Sequence, residues 1–403
     1  MNKKVKISLF LIVISISFGF TSIIFQSNTS KTQPENTIKT SGLYQKKAEW
    51  KYSGGQPYLN IIAKNHYELG RLQGEYAKDQ ILYADYVVKS LIASYNLSLD
   101  FLMPFVYLYA LNIPIQYQLL ILGTADAILE LGYEDILLQH IFIDMFYGIL
   151  QPLMVNLPNL KIAGCTALGL KSEDRIIIGQ NMDFGLIFSP AIYWVNYKLP
   201  FKPEVFSIRL GAMALPIGTN RKVSSLITLV QTTKICKFNI PISIASYKAF
   251  EKAKNKEVFL DTLFESRTCT WNFIVSDKKG IITSEALPDD EVIEDVDKYA
   301  VKTNTYLTES FKPYLLNPYF SLERQAKATE LSAIAISDMA IELNEVMNIL
   351  SYYDGTEASI LRPPDFSHPE NTCTLSYFSH DIKTQKGYFG LGNVAIENWG
   401  VIP

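Results

Sequence analysis

Gly164-Cys165-Thr166 opens the short apolar run CTALGL, and Asp183, eighteen residues after Cys165, closes the polar run Gly179-Gln180-Asn181-Met182-Asp183. A cysteine acts as a nucleophile through its thiolate, so some base must take its proton. One arrangement needs no histidine. A cysteine at a chain's own N-terminus carries thiol and α-amine on one residue, and the amine, with a reference pKa of about 7.7 to 8, serves as the base. Such a residue is exposed only by cleavage of the bond before it, here Gly164–Cys165, and glycine on the acyl side leaves the carbonyl open to attack. The plainer reading of Cys165 is a buried structural thiol in a β-hairpin.

Other chemistries have less to rest on. His66, His140, His368 and His380 are isolated, and the chain has no HExxH or CxxC, so no metal site is expected. They read as surface or structural histidines, although Cys165 meeting one of them in space is an open alternative. GxSxG and Walker A motifs are absent. Gly387-Tyr388-Phe389-Gly390-Leu391-Gly392 lies in a late strand rather than at a strand-to-helix turn, so it does not read as a dinucleotide site. No cofactor is expected. A formal net charge of −3 and the lack of a basic patch with interleaved aromatics argue against a nucleic-acid partner.

The elements that must position these groups follow from pattern. With 403 residues, 48% hydrophobic and 19% charged, the chain has a globular composition and material for one large domain or two ordinary ones. From about Asn65 to Leu150 apolar residues recur at i, i+3 and i+4, which predicts helices, with Leu119–Leu131 and Glu134–Tyr147 apolar enough to be buried. From Ile162 onward short β-branched and aromatic runs take over: CTALGL, RIIIGQN, YWVNYKL, VFSIRL, SSLITLVQTT, NFIVSD, GIITSEA, YAVKTNTY, CTLSYFSHD and KGYFGLG. Ser172-Glu173-Asp174 and Asp277-Lys278-Lys279-Gly280 read as hairpin turns. Further helices are expected near Ile244–Phe250, Val258–Ser266, Leu322–Ile336 and Asn344–Tyr352. Strands and helices in blocks predict an α+β class with antiparallel sheets.

The first residues have a different character. Lys3, Lys4 and Lys6 precede Ile7 to Phe25, nineteen residues without a charge. A basic region followed by an apolar stretch is an export signal, and this one is long enough to cross a bilayer. No convincing small-x-small cleavage site and no lipidation cysteine follow. Residues 1–26 therefore read as a signal anchor or a signal peptide, with the body on the non-cytoplasmic side. Residues 27–50 are polar and aperiodic, a linker. Export permits disulfides, and a bridge between two of Cys236, Cys269 and Cys373 is open, although their spacing shows no framework.

Taken in order, the segments resemble the acyl-coenzyme A:6-aminopenicillanate acyltransferase group of N-terminal nucleophile hydrolases, cysteine enzymes of the linear-amide C–N hydrolase superfamily. HYELGRLQGEYAKDQI resembles the group's early glycine-spaced helix, and LLILGTADAILELGYEDILLQHIFIDM its helical segment before the cleavage point. AGCTALGL gives the Gly-Cys-Thr junction. GQNMDF gives the Gly-Gln-Asn-aromatic-Asp-Phe signature, with Met182 at the aromatic position. The resemblance implies a four-layer αββα sandwich, two antiparallel sheets between helical layers. Cleavage at Gly164–Cys165 would give a mainly helical α chain (51–164) and a β chain (165–403) that stay associated.

The resemblance also implies roles. Cys165 is the nucleophile, and Asp183 accepts a hydrogen bond from its α-amine; a solvated turn carboxylate is the plainer reading of Asp183. Asn304, in Lys-Thr-Asn-Thr, resembles a Thr-Asn-His position whose amide donates to the tetrahedral oxyanion, with Thr305 in place of the histidine. Arg362 resembles a late arginine that supports the site, and a surface arginine is its plainer reading. Asn272 and Asn181 fall where polar support of substrate or oxyanion is implied. Gln180 stands where bile-acid-type and ceramidase-type relatives often carry arginine. The implied activity is that of an exported, self-processing amidase or acyltransferase on a small N-acyl amide, with hydrolysis preferred. The aromatic-rich segments IYWVNYKLPF and YLLNPYF suggest an apolar acyl group. Two rivals stand beside it: a non-catalytic, membrane-tethered binding protein on the same fold, and a histidine-assisted cysteine hydrolase without autocleavage.

Overall fold

The computed structural model describes residues 47–153, 163–317, 321–337, 341–392 and 398–403; the apolar stretch Ile7–Phe25 and most of the linker lie outside them. The chain enters on a hairpin of β1 (Ala48–Ser53) and β2 (Gln56–Ile62), whose two turn residues, Gly54 and Gly55, both take positive φ. That turn matches the twist of paired strands. The hairpin crosses the boundary placed at residue 50; the alternation Glu49-Trp50-Lys51-Tyr52 was its local signal, and Pro57 weakens that of the second strand.

Five helices follow: α1 (His66–Tyr76), α2 (Lys78–Ser94), α3 (Leu99–Ala110), α4 (Ile115–Ala127) and α5 (Tyr133–Met145), the last continuing through a π-helical turn, Phe146–Leu150. Asn65 caps α1 and Ser98 caps α3, each accepting from a backbone N–H three residues on. The glycine spacing of α1 has a packing cause. A Cβ on Gly70 would stand 2.0 Å from the Leu120 carbonyl oxygen, and one on Gly123 2.1 Å from that of Tyr67, so α1 and α4 cross backbone to backbone. Tyr133–Leu153 is long and apolar enough to cross a membrane, but most of it is buried inside the fold, as a core helix.

The remainder alternates blocks of strand and helix. β3 (Ala163–Lys171), β4 (Ile176–Gly185), β5 (Ile192–Lys198), β6 (Val205–Leu210), β7 (Met213–Thr219) and β8 (Ser224–Leu229) lead to α6 (Ile242–Lys252) and α7 (Lys256–Phe264). Then come β9 (Trp271–Asp277), β10 (Gly280–Ala286), β11 (Glu291–Val296), β12 (Tyr299–Lys302), α8 (Leu322–Ser337), α9 (Leu343–Leu350), β13 (Thr372–Asp381), β14 (Lys386–Leu391) and β15 (Gly400–Val401). A nine-stranded sheet runs β1-β2-β5-β6-β7-β8-β9-β10-β11, antiparallel except between β2 and β5. A six-stranded antiparallel sheet runs β12-β3-β4-β13-β14-β15. Three strands of this part lay outside the sequence reading for physical reasons: β7 carries Pro216, β11 is an acidic, largely exposed edge strand, and β15 is only two residues long.

The sheets meet face to face. Trp194 of β5 stacks on Phe206 of β6 and on Phe378 of β13 across the interface. Gln180 of β4 donates to the Ile227 carbonyl (2.7 Å) and accepts from its N–H (3.0 Å), joining β4 to β8 as a strand neighbour would. α8 and α9 cover the outer face of the six-stranded sheet, where Val346, Met347 and Leu350 pack on Leu168, Leu170 and Ile177. With both faces covered, β4 is buried along its whole length, which is why IIIGQNMDFG shows no alternation. All four cysteines are free and buried, so the bridge left open among Cys236, Cys269 and Cys373 is not made.

Candidate active site

Strands β3 and β4 pair antiparallel, with Cys165 opposite Met182 and Gly164 opposite Asp183. Side chains alternate between faces along a strand, so the two pairs point in opposite directions. Cys165 and Met182 face the space between the sheets. There they line a cavity of about 40 Å³ with Ile227, Leu229 and Trp271 of the nine-stranded sheet and Ile143 of α5. Gly164 and Asp183 face α8: a Cβ on Gly164 would lie 3.3 Å from Arg324 Nη1 and 3.5 Å from the Asp183 Cβ. The carboxylate therefore sits across the sheet from the thiol.

What holds the Cys165 nitrogen is a side chain. The β12–β3 ladder ends at Lys302 opposite Ala167, and continuing that register by two residues brings Asn304 opposite Cys165. Asn304 Oδ1 accepts from the Cys165 N–H at 2.8 Å and from Arg324 Nη2 at 2.7 Å, while Nδ2 donates to the Leu229 carbonyl at 2.8 Å. Three partners of fixed polarity set the amide orientation. In the intact chain, then, Asn304 presents its oxygen to Cys165, and its NH2, implied as an oxyanion donor, is held by Leu229.

Asn304 is itself locked. Asn272 Nδ2 donates to the Thr303 and Thr305 carbonyls, at 2.8 and 3.0 Å, on either side of it. The Asn304 N–H donates to Ser321 Oγ, and the buried pair Lys302–Glu285 (2.7 Å) ties down the end of β12. Asn272 thus meets the site through the Asn304 turn. Asn181, on the α8 and α9 side of β4, donates to the Leu350 and Ile360 carbonyls, and the structure does not bring it to the thiol.

The charges gather around Asp183. Its Oδ1 accepts from Thr374 Oγ1 at 2.7 Å; Arg324 Nη1 lies 3.3 Å and Arg362 Nε 3.8 Å from Oδ2. Asp183 and Arg324 are fully buried and Arg362 partly so, and Arg362 also meets the exposed Glu357 carboxylate at 3.9 Å, so two cations face two carboxylates. Burial pushes the Asp183 carboxyl up, against the pull of Arg324, Arg362 and the Thr374 hydroxyl. Burial and the neighbouring Arg362 bring Arg324 down to about 10, so it is cationic at neutral pH. Burial and the Asp183 charge push the Cys165 thiol up to about 12, against the Asp183 N–H and Arg324, so at neutral pH it is protonated.

Sequence reasoning missed Arg324 and Thr374. The covered stripe of α8 is Arg324, Ala328 and Ser332 at four-residue spacing, and an arginine on a stripe of small residues was the available signal. Thr374 carried none, because a threonine in a strand is ordinary. The histidines are engaged elsewhere: His140 with Ser243, His380 with Ser224, His66 with Glu251 and His368 with Glu370. Among the described residues no group of three or more His, Cys, Asp or Glu side chains converges as a metal site.

No family model and no curated protein matches the chain. Solved structures similar to it include penicillin V acylase from Agrobacterium tumefaciens, at 12% identity over 56% of this chain and 83% of that one, with a TM-score of 0.37. Two structures of conjugated bile acid hydrolase from Clostridium perfringens, a mutant and a variant, are each 13% identical over 59% of this chain and 92% of theirs, with TM-scores of 0.41 and 0.43. At these values the likeness carries no argument about chemistry, which rests on the residues described above.

Proposed function

We propose that this chain is the precursor of an N-terminal-nucleophile cysteine amidase that cuts its own Gly164–Cys165 bond. The observation that carries this reading is the hold on the Cys165 nitrogen, Asn304 Oδ1 at 2.8 Å. A strand amide ordinarily meets a backbone carbonyl. Here a buried side-chain oxygen takes that place, and it can keep its hydrogen bond when the amide becomes an amine.

In self-cleavage the Cys165 sulfur attacks the Gly164 carbonyl carbon and gives up its proton. The C–N bond breaks, the Cys165 nitrogen takes a proton, and a Gly164 thioester remains. Water hydrolyses the thioester to a carboxylic acid and restores the thiol. Gly164 is buried, and the Arg324 guanidinium that faces its Cα would offset part of the negative charge that builds on its oxygen. In turnover the freed α-amine accepts the thiol proton, passes it to the leaving amine, and then activates water. The apolar cavity lined by Met182, Ile227, Leu229 and Trp271 would receive an apolar acyl group, its side chains moving to widen it. Because Ile143 closes that cavity, the helical part before the cut stays associated with the rest. In this reading the sheets and their covering helices form a four-layer αββα sandwich, and the body stands outside the cytoplasm on its N-terminal apolar segment. The engagement of all four histidines away from Cys165 favours the amine as base over an imidazole.

A panel of N-acyl amides, penicillins and acyl-amino acids, incubated with the protein and with Cys165→Ala, tests the activity. Hydrolysis of apolar-acyl amides by the first and not the second is expected. Equal rates, or none on any amide by a protein already cut at Cys165, would contradict it.

A further inference from the structure

Helices α3 and α4 and the turn between them hold a stretch, residues 101–125, without a single Asp, Glu, Lys, Arg or His. Part of it is core, as Leu102, Val106, Leu120 and Ile121 show. The rest faces out: Phe101, Tyr107 and Leu111 on α3 and the following turn, and Ile115, Leu119 and Leu122 at i, i+4 and i+7 on α4. Leu111 is 61% and Ile115 67% exposed. A surface helix ordinarily carries its charges on such a face, as α2 does with Lys78, Asp79 and Lys89. Ile115, Leu119 and Leu122 follow one another by about a helical turn and form one apolar row along α4, and a row of this kind marks a contact.

What covers it follows from the tether. Residues 26–46, fully extended, span at most about 70 Å, so a body anchored by Ile7–Phe25 never leaves the neighbourhood of the bilayer. The tether enters at Lys47, which pairs with Glu68 of α1 at 2.5 Å, and α1 is the helix on which α4 packs. We infer that this exposed row of α4 lies on the lipid bilayer, its aliphatic side chains immersed at the headgroup–acyl boundary. The inference rests on the anchored reading of residues 1–26 given under the proposed function. It adds a second contact that orients the body, and that suits an enzyme whose apolar-acyl substrates dissolve in the same bilayer.

The test uses the full chain in vesicles, with a polarity-sensitive fluorophore on a single introduced cysteine, the four native ones being buried. Ile115→Cys reports the face; Ile334→Cys on α8, 55% exposed, is the control. Spin-labelled lipid is expected to quench the label at 115 at least about twofold and leave 334 unchanged, and Leu119→Glu with Leu122→Glu to abolish the quenching. Exposed charges of this kind leave the fold intact, which far-ultraviolet circular dichroism checks. A label at 115 that is blue-shifted without vesicles and indifferent to spin-labelled lipid overturns the inference in favour of the chain's own N-terminal segment. Cross-linking between copies at 115 overturns it in favour of a second copy. Resistance to carbonate extraction is read separately. Extraction-resistant protein with no quenching at 115 leaves the anchor standing and the face refuted, whereas extractable protein with quenching does the reverse.

Discussion

Cys165 N donates to Asn304 Oδ1 at 2.8 Å, and Arg324 Nη2 donates to the same oxygen at 2.7 Å. One acceptor therefore joins the nucleophile's nitrogen to a buried guanidinium. Once the nitrogen is a free amine, the nearby cation disfavours its protonation and keeps it available as a base.

Asn304→Ala removes that acceptor and leaves the Leu229 carbonyl without its donor. The expected result is cleavage and amide hydrolysis slowed on the order of 10²-fold or more, with about 1–3 kcal/mol lost in stability. Rates of fragment appearance and urea unfolding measure the two effects. Asn272→Ala, which frees the carbonyls on either side of Asn304, is expected to slow processing in the same direction but less, since it acts through Asn304.

Arg324→Met leaves the buried Asp183 with Arg362 as its remaining cation, at 3.8 Å. Breaking one side of a buried pair costs about 3–5 kcal/mol, toward the low end here because Arg362 stays. Adding Asp183→Asn should return much of that stability without returning cleavage. A double-mutant cycle by denaturant unfolding, run beside the processing assay, separates the structural share from the chemical one.

The Cys165 thiol at about 12 sets the pH dependence of processing. Below that value the thiolate fraction rises about tenfold per pH unit, so cleavage of freshly synthesised chain should climb with that slope between pH 6 and 9 without a plateau. Stability moves the other way. The unfolded thiol ionises from 9.0, the folded one only near 12, so this contribution is complete below pH 9 and is lost as pH rises toward 12. Pulse-chase at fixed pH and alkaline unfolding check both.

Much of the fold was legible because its signals are local. β-branched runs bounded by turn residues marked β3, β4, β5, β6, β9, β10 and β13, and helical periodicity marked α6 to α9. The proline-bearing β7 and the acidic edge strand β11 were not legible, since pairing with neighbours overrides their composition, whereas β1 carried an alternating pattern that the linker reading passed over. At the site, Cys165 and Asp183 stood out by type and spacing. The hold of Asn304 on the Cys165 nitrogen and the arrival of Arg324 from α8 depend on a register 139 residues long and on helix packing, which no local pattern contains.

Away from the site, Asp144 of α5 is fully buried, accepting from Thr268 Oγ1 and from the Ile242 N–H, and burial pushes its carboxyl up to about 7. Its folded value lies above the unfolded 3.8, so its contribution is complete below pH 3.8 and is lost as pH rises toward 7, on the order of 4 kcal/mol. Asp144→Asn should flatten stability across that window and raise it at pH 8. Denaturant midpoints at pH 4, 6 and 8 decide this.

The central claim is that Cys165 cuts the bond before it, and intact-mass analysis with N-terminal sequencing of the purified protein tests it most directly. The account predicts a fragment beginning Cys165-Thr166-Ala167 in the active protein, absent from Cys165→Ala, which stays full length. A protein that hydrolyses amides through Cys165 while Gly164 and Cys165 remain joined would contradict it.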